Sequence, residues 1–462
     1  MPRPAGAPMS TAVWTDADVR GALGLAAVTG TERVRYTGVS TDSRQIEEGQ
    51  LYIALTGEHF DGHDFVVAAL AKGARGAVVS RPQDASVRGP LYQVDDTLVA
   101  LGALAAHRRR SLRAPVVAIT GSSGKTTTKD LTAAAIGEGK RVHATRGNKN
   151  NRIGMPLTLL ATPVDAEAVV LELGTNEPGE IRTLAQIARP DIGVVTTVGE
   201  AHLEKLGSFE GVLDEKLDLL RGLAEGGRCV VGDEPSVLAA RARALCPHLR
   251  VAGWTHRADA DLRIESALVD VFGHYEFEWR GETVTVPLVG RHAATDAMLA
   301  LAIADLVGVS PADAARGIAK ADTNPLRGEV RRLGTLTLIV DCYNANPQSV
   351  RAALDVLEGQ VAKRRVAVLG SMLELGTQSD RLHREVLANA LERDIDLIVA
   401  TGAFGRAAEA LGTRAAGVIT APDWQEAYPR LRERLEGDEI VLLKASRGIA
   451  LEGILPLLER DF

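Results

Sequence analysis

The sequence predicts an α/β protein of three domains in series: a small N-terminal α/β domain, a central P-loop ATPase-like domain around a parallel sheet, and a Rossmann-like C-terminal domain. Three observations carry this expectation. At 462 residues the chain has room for roughly three domains of ~100 to 200 residues each. Apolar residues make up 45% and charged residues 24%, a globular balance that excludes disorder, coiled coil and collagen-like repeats. Strand-like apolar runs alternate with helix-length segments along most of the chain, the pattern of parallel strands joined by helical crossovers.

The first unit, residues 1–96, holds the strand QLYIAL (50–55), the helix VVAALAKGA (66–74) and the strand GAVVS (76–80). Residues ahead of Met9 read as a frayed Pro/Ala tail with no assigned role. A helix from Asp96 to Arg113 leads into the second unit, 97–322, which opens on the apolar strand APVVAIT (114–120) and continues through AVVLEL (168–173) and IGVVTTV (192–198). Pro and Gly then interrupt the pattern in DTNPLRG (322–328), as a linker would. The third unit, 323–462, carries the strands TLTLIVDCY, RRVAVLGSM, DIDLIVATG, AGVIT and EIVLLKAS at helix-length spacing, which reads as a doubly wound sheet.

Lys plus Arg number 53 against 60 Asp plus Glu, a formal charge of −7, so there is no general electrostatic reason to bind nucleic acid or an anionic membrane. Three cysteines (Cys229, Cys246, Cys342) lie far apart without a CxxC pair, which suggests neither a disulfide framework nor a zinc site and fits a reducing compartment. No apolar run approaches the ~18 to 20 residues of a spanning helix, and the first residues lack the basic head and apolar stretch of an export signal. A cytoplasmic location without a membrane span is expected.

The strongest local signal is TGSSGKTTTK (120–129), between a strand and a helix-compatible stretch. Gly121 and Gly124 let such a loop fold tightly and aim N–H groups at phosphate oxygens, at a helix N-terminus that favours anions. Lys125 would neutralise β/γ charge and Thr126 would hold Mg²⁺. The position five before Gly124 is Ile119 rather than Gly, a departure from the full phosphate-loop pattern, and the bland alternative is a Gly/Ser turn before a helix. LELGTNEPGEI (171–181) puts Glu172 near the carboxyl end of a buried strand, and GEAHLE (199–204) puts His202 just after the next. Open parallel sheets bind ligands at those ends, so the pair suits a divalent cation. Taken singly, Glu172 also reads as a buried ion-pair partner and His202 as a polar turn residue. GNKNNRIGMPLTLL (147–160) sets three asparagines in four positions; they suit a sugar or peptide backbone, or one of them caps a helix.

Together with DCYNANPQS (341–349), LGSMLELG (369–376) and KASRGIALE (444–452), these motifs resemble the Mur ligase family. STDSR (40–44) and FDGHDF (60–65) resemble the family's uridine-nucleotide-binding unit, so the resemblance spans all three units in order. YNANP with NKNNRIG is most similar to the branch that adds D-Ala-D-Ala to UDP-N-acetylmuramoyl-tripeptide. The resemblance implies ATP-dependent amide synthesis through an acyl phosphate, with ATP and Mg²⁺ as cofactors, those two small molecules as partners, and a monomer.

Residue by residue, the resemblance assigns ATP to Gly121, Ser122, Ser123, Gly124, Lys125, Thr126, Thr127, His292, Arg327, Asp341, Tyr343 and Asn344. It assigns metal to Thr126, Glu172, His202 and Lys216, catalysis to Lys125, Glu172, His202 and Lys216, and the peptide and phosphate side to Asn148, Asn150, Asn151, Lys444 and Arg447. Ser40, Thr41, Asp42, Ser43 and Arg44 fall on the uridine side. Lys216 matches a lysine that several Mur ligases carbamylate; its plain alternative is a helical lysine pairing with acidic neighbours. In GRHAATDAM (290–298), Ala293 and Asp296 stand where the family commonly has asparagines, which makes adenine recognition the expected point of difference. Rival readings are a sister amide ligase, such as a folylpolyglutamate synthetase or the ligase adding the third residue, and a nucleotide-switched binding protein.

Overall fold

The computed structural model describes residues 13–84, 87–322 and 325–462. The tail ahead of Met9 lies outside the described residues, and the expected junction at 322/323 falls at the edge of the pair 323–324, which also lies outside them.

Three parallel sheets follow one another along the chain. The first has the order β1 (Val39–Ser40), β2 (Leu51–Ile53), β3 (Gly76–Val79) and β4 (Leu91–Gln93). The helix expected over 66–74 is shorter, Val66–Ala71, and is entered through a 3₁₀ turn at Gly62–Phe65. Asp96 caps helix α1 (Thr97–Ser111) by accepting from the Leu98 and Val99 amides, and Arg108 to Arg110 occupy the last turn, where the helix dipole favours cations.

The second sheet contains β5 (Val116–Thr120), which runs into helix α2 (Lys125–Gly137), then β6 (Val142–Ala144), β7 (Ala168–Glu172) and β8 (Ile192–Val195). Helix α3 (Phe209–Arg221), β9 (Arg228–Gly232) and β10 (Leu249–Ala252) complete it, in the parallel order β10-β9-β8-β5-β7-β6. β5, β7 and β8 are buried at every position, as strands covered on both faces must be. β8 ends at Val195, so the segment read as strand through 198 leaves the sheet, and the Thr197 carbonyl takes the Ser122 amide at 2.8 Å. Unforeseen is an antiparallel sheet of β11 (Ala267–Val269), β12 (His274–Trp279) and β13 (Glu282–Val289), followed by helix α4 (Arg291–Leu306).

The third sheet adds an antiparallel edge strand β14 (Glu329–Leu333) to β15 (Leu336–Asp341), which precedes helix α5 (Pro347–Glu358). It continues with β16 (Arg365–Leu369), β17 (Leu397–Thr401), β18 (Ile419–Ala421) and β19 (Ile440–Lys444), in the order β14-β15-β19-β16-β17-β18. A single buried apolar cluster runs from Val195, Val198 and Leu203 to Ala345, Val350 and Met372, so the second and third sheets share a hydrophobic contact. Among the described residues no helix is long and apolar enough to cross a membrane.

Candidate functional site

The carboxyl ends of β5, β7 and β8 open into a cavity of about 810 Å³ that the third sheet closes from the other side. β5 delivers Gly121, where a Cβ would drive into the Thr196 hydroxyl, and Gly124 at φ 78°, where a Cβ would overlap the Asp296 carboxylate. Both positions therefore require glycine. The loop then starts α2, leaving the amides of its first turn without helical partners. Lys125 Nζ donates to the Gly121 carbonyl at 2.7 Å, across the mouth of the loop. The cavity walls keep water from the Lys125 ammonium and lower its pKa; Arg327 pushes the same way, while Glu172 and Glu374 oppose.

Glu172 closes β7 and is 2% exposed. Its Oε1 accepts from Asn150 Nδ2 at 2.8 Å, and its Oε2 is buried without a partner. An unpartnered carboxylate oxygen facing a phosphate loop fits a Mg²⁺ ligand, since the ion takes one or two protein oxygens and completes its shell with water and phosphate. The Thr126 hydroxyl lines the same cavity. His202, at φ 54°, sits in the left-handed region, and its Nδ1 lies 2.6 Å from Glu374 Oε2. Burial lowers the His202 pKa and the hydrogen bond to Glu374 holds it up, while that same bond keeps the Glu374 carboxyl below its ordinary value. Lys216, on α3, is fully buried and its Nζ has no partner. Burial, then the Lys125 charge, drives its pKa well below that of an ordinary lysine. The plain alternative, a lysine paired with its acidic neighbours, is not what the geometry has: Glu215 instead takes the Gly179 and Ile181 amides.

The third sheet contributes Asp341, Tyr343, Asn344 and Lys444 to the cavity. Lys444 Nζ donates to Asp341 Oδ2 and to the Asn344 carbonyl, both at 2.7 Å. The Arg327 guanidinium lies 3.8 Å from the centre of the Tyr343 ring. Contacts between the second and third sheets were not foreseen. Asn346, which caps α5, also donates to the Ser122 carbonyl at 3.3 Å, and Gln348 Nε2 donates to Thr197 Oγ1 at 2.9 Å. Each lies within a motif already singled out, yet nothing in the spacing points at its distant partner.

Most of the sequence-derived residues converge on this cavity, including Ser122, Ser123, Thr127, His292 and Asn151. Asn148 does not; it is exposed, and its carbonyl accepts from the Asn150 amide. Asn151 spends its side-chain oxygen on the Ile153 and Gly154 amides, in the turn that leads into the next helix. Arg447 is exposed and pairs with Glu452 at 2.6 Å rather than lining the cavity. Ser40 to Arg44 lie in the first unit, away from the cavity, where Asp42 receives the Arg44 guanidinium at 2.9 Å and the Ser40 hydroxyl bonds within the same turn. At the two positions where adenine recognition is expected to differ, Ala293 is 1% exposed in the core, and Asp296 accepts from the Thr128 hydroxyl beside the phosphate loop. Periodicity alone would have put both on the buried face of α4.

Family profiles match in the order of the sheets: the Mur ligase family catalytic domain at residues 35–109, the Mur ligase middle domain at 119–304, and the Mur ligase glutamate ligase domain at 327–447. The chain belongs to the Mur ligase family of ATP-dependent amide ligases. Among its relatives, the UDP-N-acetylmuramoyl-tripeptide–D-alanyl-D-alanine ligase of Bacillus subtilis is 37% identical over 433 residues, covering 90% of this chain and 92% of that one. The Escherichia coli protein of the same name is 34% identical, covering 92% and 94%. MurF from Acinetobacter baumannii superposes with a TM-score of 0.88 at 30% identity, covering 97% of this chain and 99% of that one. A Thermotoga maritima MurF ligase solved in complex with ADP superposes with a TM-score of 0.80 at 27% identity, covering 92% and 97%.

Proposed function

We propose that the chain joins D-Ala-D-Ala to UDP-N-acetylmuramoyl-tripeptide at the expense of ATP, in the synthesis of the peptidoglycan precursor. One observation carries this reading: a single cavity is lined at once by the phosphate loop, by the half-free carboxylate of Glu172 and by Asn344 and Lys444 from the opposite sheet. An enzyme that must bring a carboxylate, a triphosphate and an amine together needs that convergence. The relatives' names give the acceptor and donor, and the ADP complex of the Thermotoga protein supports a nucleotide at this loop.

In the reaction a substrate carboxylate oxygen attacks the γ-phosphorus and ADP leaves; the D-Ala-D-Ala amine then attacks the acyl carbon, loses a proton and expels phosphate. The chain's own groups act on charge. Lys125 and the α2 N-terminus face the transferring phosphoryl group. Thr126, Glu172, His202 and Lys216 as its carbamate are the groups to hold Mg²⁺, which when bound screens the repulsion between carboxylate and triphosphate. A lysine that is buried, unpaired and low in pKa presents the neutral amine that carbamate formation requires. Asn150 fixes the orientation of Glu172. Asp341, Tyr343, Asn344 and Arg327 take the nucleotide from the other wall, with His292 of α4, and Ser40 to Arg44 the uridine end. The three units, with junctions near 96 and 322, divide the work into uridine binding, ATP binding and closure over the reacting groups.

The test is to incubate the protein with ATP, Mg²⁺, UDP-muramoyl-tripeptides and candidate acceptors and to weigh the products. A pentapeptide product made from the dipeptide alone is expected. ATP turnover without a new amide bond would favour a nucleotide-switched binding protein, and a single amino acid as acceptor would favour a sister ligase.

A further inference from the structure

Asp296 occupies the second turn of α4 and is 6% exposed. Its carboxyl points at the start of α2. Oδ1 accepts from the Thr128 hydroxyl at 3.0 Å, and the group packs against Gly124 so closely that no Cβ fits between them. It also lines the cavity beside the phosphate loop. The Thr128 hydroxyl, a neutral donor, is its one hydrogen-bond partner among the described residues.

Most of the charges around it are engaged elsewhere. On α2, Lys125 is held by the Gly121 carbonyl, and Lys129 pairs with Asp130. On its own helix, Arg291 lies over the Trp254 ring, 5.0 Å from its centre, and His292 turns to the cavity. Asp233, after β9, takes the Trp254 and Thr255 amides. From α5, Arg351 and Asp355 reach the same cavity, and Asp355 pairs with Arg393 at 2.7 Å. Arg327 acts on Asp296 through space without contact. A carboxylate in this position would be a buried charge with no ion-pair partner, on the wall that a triphosphate approaches.

We propose that Asp296 braces the phosphate loop as a neutral carboxylic acid, and that loss of its proton is what weakens nucleotide binding on the alkaline side. The proposal rests on the nucleotide reading of the cavity. Burial pushes the Asp296 pKa up to about 8, against the Thr128 hydrogen bond and Arg327. The sign follows: the proton is held below that pH and lost above it, the ionised form repels phosphate, and bound nucleotide in turn favours the acid. If only the protonated form is competent, the competent fraction falls from about nine-tenths at pH 7 to about one-tenth at pH 9, and the apparent Kd rises about tenfold.

The experiment measures the Kd of β,γ-methylene ATP with Mg²⁺ at pH 7, 8 and 9 for the wild type and Asp296→Asn. The amide keeps the shape and cannot ionise, so between pH 7 and 9 the wild-type Kd is expected to rise about tenfold more than the variant's, the titration of the nucleotide and of Lys125 being common to both. Parallel curves would overturn the proposal. Calorimetry of the wild type in buffers of different ionisation enthalpy supplies a second reading that needs no variant: binding at pH 8.5 should take up a proton from the buffer, and zero net uptake would also overturn it. No binding by the wild type at any pH would overturn the nucleotide reading itself, and this proposal with it.

Discussion

The phosphate loop and the Ser40–Arg44 loop are both polar turns after strands, yet they are held in opposite ways. Around the phosphate loop the polar partners come from far away in sequence: Thr197 and Gly199 for Ser122, Asn346 for the Ser122 carbonyl, Asp296 for Thr128 and Glu374 for His202. The other loop is held mainly within itself, with Asp42 binding the Arg44 amide and guanidinium and Ser40 bonding within the turn, and one distant donor, Lys72, on the Arg44 carbonyl. A site that must stabilise transition-state charge gains from donors and acceptors fixed in advance by the tertiary structure. The Ser40–Arg44 loop, proposed to hold the uridine end, has an exposed Asp42–Arg44 ion pair, and such a pair is worth little to stability.

The contrast predicts a descending series of effects. Lys125→Ala should lower the ligation rate by ~10² to 10³ while leaving UDP-muramoyl-tripeptide affinity nearly intact, because charge stabilisation of the transferring group is lost. Parallel turnover and calorimetry measurements check this, and near-normal turnover would remove the phosphate-loop assignment. Next, Lys216→Ala should cost ~10 to 100-fold, the scale of a group acting on a metal site, with partial rescue by acetate occupying the vacated oxygen-donor position. Full activity in this variant, or an unmodified lysine in crystals grown with bicarbonate, would take the carbamate out of the mechanism.

Breaking the His202–Glu374 pair, which joins the second and third units, is expected to cost about tenfold, the worth of a hydrogen bond to a charged group. Glu374→Gln removes the group that holds up the His202 pKa, so the acid limb of the rate profile should move to lower pH. A profile that stays in place would mean the pair does not set the protonation of His202. At the local end, Arg44→Ala should raise KM for the UDP substrate about threefold with kcat unchanged, in line with an exposed ion pair. A loss of kcat comparable to that of Lys125→Ala would show that the two loops do not differ as described.

The sequence by itself determined what depends on near neighbours. Alternating apolar runs specified the three sheets because a strand buried on both faces must be apolar throughout. Gly121, Gly124 and Lys125 were legible because a phosphate loop is a local strand–turn–helix. Glu172 was legible because the end of a buried strand is set by its own residues. The antiparallel sheet over Ala267–Val289 escaped because its half-exposed strands mix charged and apolar side chains, and the edge strand Glu329–Leu333 because three of its five residues are charged. Only the tertiary structure decided that Glu374 meets His202 across 172 positions of chain, that Asn346 caps a helix and also holds the phosphate loop, and that Asp296 meets Thr128. Such pairs carry no periodicity or spacing. Their partners are chosen by how the sheets and helices pack, and packing is a property of the whole chain.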